Sequence, residues 1–414
     1  MLSERASSVE VRGGAAELSA AMAGQGHEVI LYTRRTDPAS PDEAVVPQGY
    51  TVVNVPAGPA VPLSGADQLD HLGAYAEYLD RRWSAGPPDL AHAHFWVPGI
   101  AAQLAARVHR VPTVQTFHGL GWGEKPSARA KLERTLAHHA TWVAATSTEE
   151  VLELSRLGRP RTRTSVVPRG VDLQKFSSEG PIAARTERPR IVAVGKMLPR
   201  NGFDTVIEVL PTVPDAEFVI VGGPEARRVA ADPEVRRLRR LAAELGVADR
   251  VVFTGAVLRD DMPAMLRSAD VVTCTPRYAE FGIVALEAMA CGIPVVASAL
   301  GGMLDTVVHD VTGRFVVPNR PRECAEALTG ILRDSFLRRS LGLAGRDRVC
   351  ARYSWDRVAT ERSRLPPTGP RRTRPGPGRR FLRSTGLGLA GWWVLKGHHD
   401  DSLANAVLEY RVRA

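Results

Sequence analysis

Three observations predict an α/β chain built as two doubly wound, Rossmann-like domains. Short β-type runs alternate with amphipathic helical segments up to about residue 360. In the second half, five of those strands end in Gly, Pro or Ser immediately before a helix. Around 177–189 the sequence SSEGPIAARTERP turns polar and carries Pro and Gly, which divides the pattern in two. At 414 residues the chain is too long for one ordinary core and ample for two. The expected domains are 1–180 and 181–361, followed by a basic tail over 362–414.

The elements follow in order. AAELSAAMAG reads as a helix that Gly26 ends, and HEVILYT as a buried strand. TVVNVPA, DLAHAHFW, VPTVQTFHG and WVAATS are further strand candidates, and TEEVLELSRLG is a helix. After the boundary come strand RIVAVG, helix GFDTVIEVLPTV, strand AEFVIVGG, helix PEVRRLRRLAAELGV and strand DRVVFTG. Then follow helix DMPAMLRSA, strand DVVTCTP, helix GIVALEAMACG, strand IPVVAS, short helix GMLDTVVHD and strand GRFVVP. Two helices cover roughly 321–353. From about 365 the run LPPTGPRRTRPGPGRR has too little apolar surface to order itself, so disorder is expected there. The closing SLANAVLEYRV reads as one helix without an obvious partner.

Charge and cysteine usage narrow the function class. Of the net +9, +8 comes from eight arginines within 362–383, where no acid stands. The remainder is close to neutral, which argues against a nucleic-acid surface on the folded body. The basic tail leaves a second reading open, contact with an anionic membrane or nucleic acid. Cys274, Cys291, Cys324 and Cys350 are widely spaced, without C-x-x-C or paired histidines, so neither a disulfide framework nor a zinc site is expected. The N-terminus has no apolar run of signal-peptide type, and a cytoplasmic protein is expected. No G-x-G-x-x-G opens a helix after a first strand, which weakens a dinucleotide oxidoreductase.

The densest chemical signal is RYAEFGIVALEAMACGIPVVASALGGMLDTVVHDVTGRFV, residues 277–316. Gly282 opens a helix whose first backbone N–H groups, on Ile283 and Val284, lack intrahelical partners and suit an anion such as a diphosphate. Glu287 lies one turn further, within reach of ribose hydroxyls. By itself this pattern reads equally as ordinary helix punctuation.

The segment resembles the nucleotide-sugar-binding region of glycosyltransferase family 4, a retaining family of GT-B fold. It is most similar to actinobacterial D-inositol-3-phosphate glycosyltransferase-like and sucrose-phosphate-synthase-like members. GHEVILYTRR, DLAHAHFW, VQTFHGLG, SVVPRGVD, LPRNGFDTVI, RVVFTGAV and SADVVTCTP carry the likeness, which covers roughly residues 1–360. It implies two Rossmann-like domains facing a central cleft. It implies transfer of a hexosyl group, with retention, from a nucleoside-diphosphate sugar, UDP-linked by preference, to a small hydroxylated acceptor. The nucleotide sugar is a co-substrate; no cofactor and no metal are expected. No two aspartates are separated by a single residue, so a metal-binding D-x-D is absent.

The resemblance also implies roles. Lys196 stands where the family has Arg and would neutralise the diphosphate; a solvated lysine is the plainer reading. Asn201 replaces a second basic residue and supplies a hydrogen bond without charge. Glu287 matches the second acid of the E-x7-E motif, whereas Ala279 stands where the first belongs. Glu280, displaced by one position, either contacts the donor sugar or is a surface carboxylate. His118 matches the family histidine beside the reacting sugar, or is a structural histidine in a turn. His94 and Phe95 are placed on the acceptor side, with plain packing as the alternative. The N-terminus keeps only a remnant of the family's first strand, with Gly13-Gly14 against the helix. Ala279, Asn201 and the altered termini support an alternative, a nucleotide-binding homologue with poor turnover that acts as a binding or scaffold protein.

Overall fold

The structure, a computed structural model, describes residues 14–63, 67–120, 128–213, 215–278, 282–363 and 406–411. Two compact units emerge. One comprises Met1–Thr116, Thr135–Val143 and Arg364–Ala414; the other comprises Phe117–Arg134 and Ala144–Ser363.

The first half supplies β1 (Glu28–Arg34), β2 (Glu43–Val45), β3 (Thr51–Val55), β4 (Leu90–His94), β5 (Thr113–Thr116), β6 (Trp142–Ala145) and β7 (Thr164–Val166). β2 and β7 were not foreseen, since three residues are too short to display alternation. The helix Leu72–Ala85 turns Tyr75, Ala76, Leu79 and Trp83 inward, a spacing that keeps one face on the core. It packs on the helix Trp96–His109, whose buried Ala101, Ala102, Ala105 and Ala106 allow close approach.

The second half supplies β8 (Arg190–Val194), β9 (Glu217–Val221), β10 (Val251–Gly255), β11 (Val271–Cys274), β12 (Val295–Ser298) and β13 (Gly313–Val316). They form a six-stranded sheet in the order β10-β9-β8-β11-β12-β13, parallel throughout. Near-continuous apolar runs are what a parallel sheet covered on both faces requires. Alternate residues serve the two faces. Ile191, Ala193, Phe218 and Ile220 pack with the helices Phe203–Val209 and Pro321–Arg333, while Val192, Val219 and Val221 pack with Leu286 and Met289. At the amino ends of β8 and β9, Arg190 Nε donates to Glu217 Oε1 at 2.6 Å. The order reverses between β8 and β11, so the crevice at their carboxyl ends is where such a sheet receives ligands.

The last strand corrects the reading of the tail. Within SLANAVLEYRV the described residues Ala406–Arg411 form a strand, β14, rather than a helix, and its first five residues are buried. It lies between β1 and β4 in an eight-stranded sheet of order β2-β3-β1-β14-β4-β5-β6-β7, antiparallel to both neighbours. The disorder expected over the tail therefore fails for 406–411, because these residues find a deep apolar slot. Residues 364–405 and 412–414 of the tail and the remnant first strand over 1–13 lie outside the described residues.

Candidate functional site

At the carboxyl end of β8 two of the expected residues, Lys196 and Asn201, stand together in the second unit. β8 runs into Gly195 and Lys196, and the exposed Lys196 stands beside Asn201, whose Nδ2 donates to the Lys196 carbonyl at 2.7 Å. The helix Phe203–Val209 starts from Gly202, held at φ 70°, and a Cβ there would stand 2.0 Å from the Thr275 carbonyl oxygen. Only glycine permits that approach, which draws the turn after β8 against the end of β11. The Arg277 N–H closes the contact on the Arg200 carbonyl at 2.8 Å. Beneath it the buried Asp204 Oδ2 accepts from Arg277 Nη2 at 2.9 Å and from Arg237 Nη2 at 3.0 Å. A shallow hollow lined by Thr275, Arg277, Ser298 and Asn319 opens beside this network.

The second helix start is Gly282, at φ 81°, ahead of Ile283–Ala290. Gly282 itself is buried, because the Met303 thioether lies over it; a Cβ would meet Met303 Sδ at 2.5 Å. The turn expected to be open at Gly282 is thus covered at the glycine, and the next two residues, Ile283 and Val284, are half-buried. Glu287 is 3% exposed, and its Oε1 accepts from Arg259 Nη2 at 2.5 Å. The Arg259 guanidinium also lies 4.5 Å from the ring centroid of the buried Phe176. Thus a carboxylate, a guanidinium and an aromatic face are fixed together below the helix start. Arg259 escaped sequence reading: it belongs to no motif and meets Glu287 only through the fold. Glu280 and Ala279 lie outside the described residues.

His118 follows β5 in a left-handed turn, φ 56°, with Gly119 next at φ 107°. In the same unit, Ser147 caps the helix Thr148–Arg156, and Thr146 donates to Glu150 Oε2 through N at 2.6 Å and Oγ1 at 2.7 Å. Burial pushes the Glu150 carboxyl above the usual range, against the lowering effect of those bonds. In the first unit, His92 and His94 share a face of β4, as alternation requires, with ring centroids 4.2 Å apart. His94 is buried and Phe95 half-buried. Phe95 has φ 66°, and its carbonyl accepts from Gln115 Nε2 at 3.0 Å. The four cysteines are free, and burial raises the Cys291 and Cys324 thiols to about 12.

Residues 175–348 match the family described as glycosyl transferases group 1, and residues 14–175 match glycosyltransferase family 4. A D-inositol 3-phosphate glycosyltransferase of Xylanimonas cellulosilytica is 36% identical over 83% of this chain and 88% of its own length. The chain belongs to glycosyltransferase family 4. A relative of the same description from Mycobacterium tuberculosis is 33% identical over 81% of the chain and 74% of its own length. Among solved structures, a sucrose-phosphate synthase from Thermosynechococcus elongatus has TM-score 0.75 and 29% identity, covering 85% of this chain and 91% of that one. Anabaena HepE, solved in complex with UDP-glucose, shares the fold at TM-score 0.62 and 22% identity over 75% of this chain and 84% of its own. This family member is therefore a GT-B glycosyltransferase, an enzyme acting on nucleotide sugars. No helix among the described residues is long and apolar enough to cross a membrane.

Proposed function

We propose that this glycosyltransferase moves a hexosyl group, with retention, from a UDP-sugar to a small hydroxylated acceptor, a phosphorylated cyclitol being the first candidate. The observation that carries the reading is the buried Glu287, a turn into the helix that opens at Gly282 and held there by Arg259. A preoriented carboxylate suits two ribose hydroxyls, and the helix start above it suits a diphosphate. In this reading Ile283 and Val284 offer N–H groups to the phosphates, and Lys196 neutralises the departing charge. Glu280 contacts the donor sugar and His118 hydrogen-bonds it at the reacting end; His94 and Phe95 serve the acceptor. No metal or cofactor takes part. The acceptor class is supported by the relatives, which are named for D-inositol 3-phosphate, and the donor by UDP-glucose in a protein of the same fold.

One observation favours the second reading, poor turnover. Asn201 brings no charge to the leaving group, and its amide is engaged by the Lys196 carbonyl. The deciding experiment incubates the purified chain with UDP-, GDP- and ADP-sugars and D-inositol 3-phosphate, and resolves the product anomer by NMR. Transfer with retention supports the enzyme. An inverted product overturns the mechanism. If neither the native chain nor Asn201→Lys and Ala279→Glu cleaves any donor, the transferase reading fails.

A further inference from the structure

β1 and β4 do not pair with each other; β14 lies between them and pairs with both, while their outer edges pair with β3 and β5. One ladder runs from Glu28 opposite Arg411 to Thr33 opposite Ala406, and the other from Leu90 opposite Tyr410 to His94 opposite Ala406. Taking β14 away would open the sheet into two halves and leave the facing N–H and C=O groups of both neighbours unpaired in the core. The strand fits on both faces. Val407 packs with Tyr32, Val53 and Trp83, while Tyr410 lies 6.3 Å from His92, ring centroid to centroid, on the other face.

Glu409 makes the fit selective. It is 1% exposed, and its Oε2 accepts from Tyr32 Oη at 2.7 Å and from Trp83 Nε1 at 3.1 Å. Its Oε1 accepts from Arg411 Nε at 3.1 Å, and Arg411 Nη2 donates in turn to the Gly86 carbonyl at 2.9 Å. A slip of one residue would carry Glu409 to the opposite face and leave the Tyr32 hydroxyl and the Trp83 indole without their acceptor.

We infer that the slot between β1 and β4 is a strand-accepting site whose occupant is this chain's own C-terminal segment, bound antiparallel as a separable donor strand. The ligand it selects is an extended peptide with small apolar residues at its entry, a carboxylate at the position of Glu409 and an aromatic residue after it. In the chain, residues 364–405 separate this strand from the helix Trp355–Ser363, which leaves a place for a cleavage site.

The test introduces a specific protease site into 364–405 of the full chain and cleaves the folded protein. The fragment bearing β14 is expected to co-elute with the body at native pH, and an excess of synthetic peptide 402–414 to exchange with it. The Glu409→Lys fragment is expected to separate on cleavage. A chain ending at Asn405 provides the second arm, read by hydrogen exchange. Protection is expected to vanish in β1 and β4, to persist in β8, β9 and β11 as the internal control, and to return on adding peptide 402–414 in trans. Separation of the wild-type fragment from a still-protected body, or full protection of β1 and β4 in the shortened chain, overturns the inference. So does elution of the uncleaved chain as a strand-exchanged dimer, which would make the occupant a second copy.

Discussion

β8 and β14 hold corresponding places, each at the reversal of strand order in its sheet, yet they meet that position in opposite ways. β8 runs parallel to β9 and β11, and beyond Arg190 it is wholly apolar. β14 runs antiparallel to both neighbours, reaches partners as distant as Tyr32, 377 residues away, and carries a buried carboxylate in its middle. The contrast shows what each kind of strand must encode. A strand tied to its neighbours by crossover helices inherits its register from those connections, so apolar continuity is enough. β14 is antiparallel to both neighbours, and among the described residues no crossover helix ties it to either of them. Its register needs a polar lock, and Glu409 against Tyr32 and Trp83 provides one.

The strongest challenge to that comparison is Leu408→Pro. Proline cannot donate to the ladder, and the buried Leu408 side chain is lost, together worth at least ~3 kcal/mol. Calorimetry with hydrogen exchange should show the first unit destabilised and the six-stranded sheet unchanged; equal loss in both sheets would erase the distinction. A smaller effect is expected from Asp204→Ala, confined to the second unit. Its carboxylate is buried, but the side chains of Arg237 and Arg277 are 36% and 38% exposed, so solvent screening limits the loss to about 1–2 kcal/mol. Urea unfolding followed in β8 and β11 measures it, and a change in the first sheet instead would contradict the assignment.

The mildest effect is pH-dependent. Burial raises the Glu150 carboxyl in the folded state, so the fold holds that proton more tightly than the unfolded chain does. Stability is therefore lost as pH rises from the ordinary carboxylate range through the raised folded value, and the penalty is complete above it. Glu150→Gln removes this slope. Its thermal midpoint relative to the native chain should be higher at about pH 8 than at about pH 5. A difference independent of pH would show that the carboxylate is not penalised.

What the sequence revealed follows the same division. All six strands of the parallel sheet and the glycine-led helix starts were legible, because buried parallel strands are apolar runs and Gly202 and Gly282 punctuate them. β14 was misread as a helix. Ala, Leu and Glu favour helices locally, and only the slot between β1 and β4 reverses that preference. The motif singles out Glu287 as a candidate, whereas nothing local singles out Arg259, whose contacts with Glu287 and Phe176 arise only in the fold.

Calorimetric titration of UDP into the native chain and into Glu287→Ala bears most directly on the proposed donor site. Saturable binding is expected of the native chain, and at least a roughly tenfold weaker affinity, about 1.4 kcal/mol, of the variant. Failure of the native chain to bind UDP, or equal affinity in both proteins, would contradict the proposed donor site.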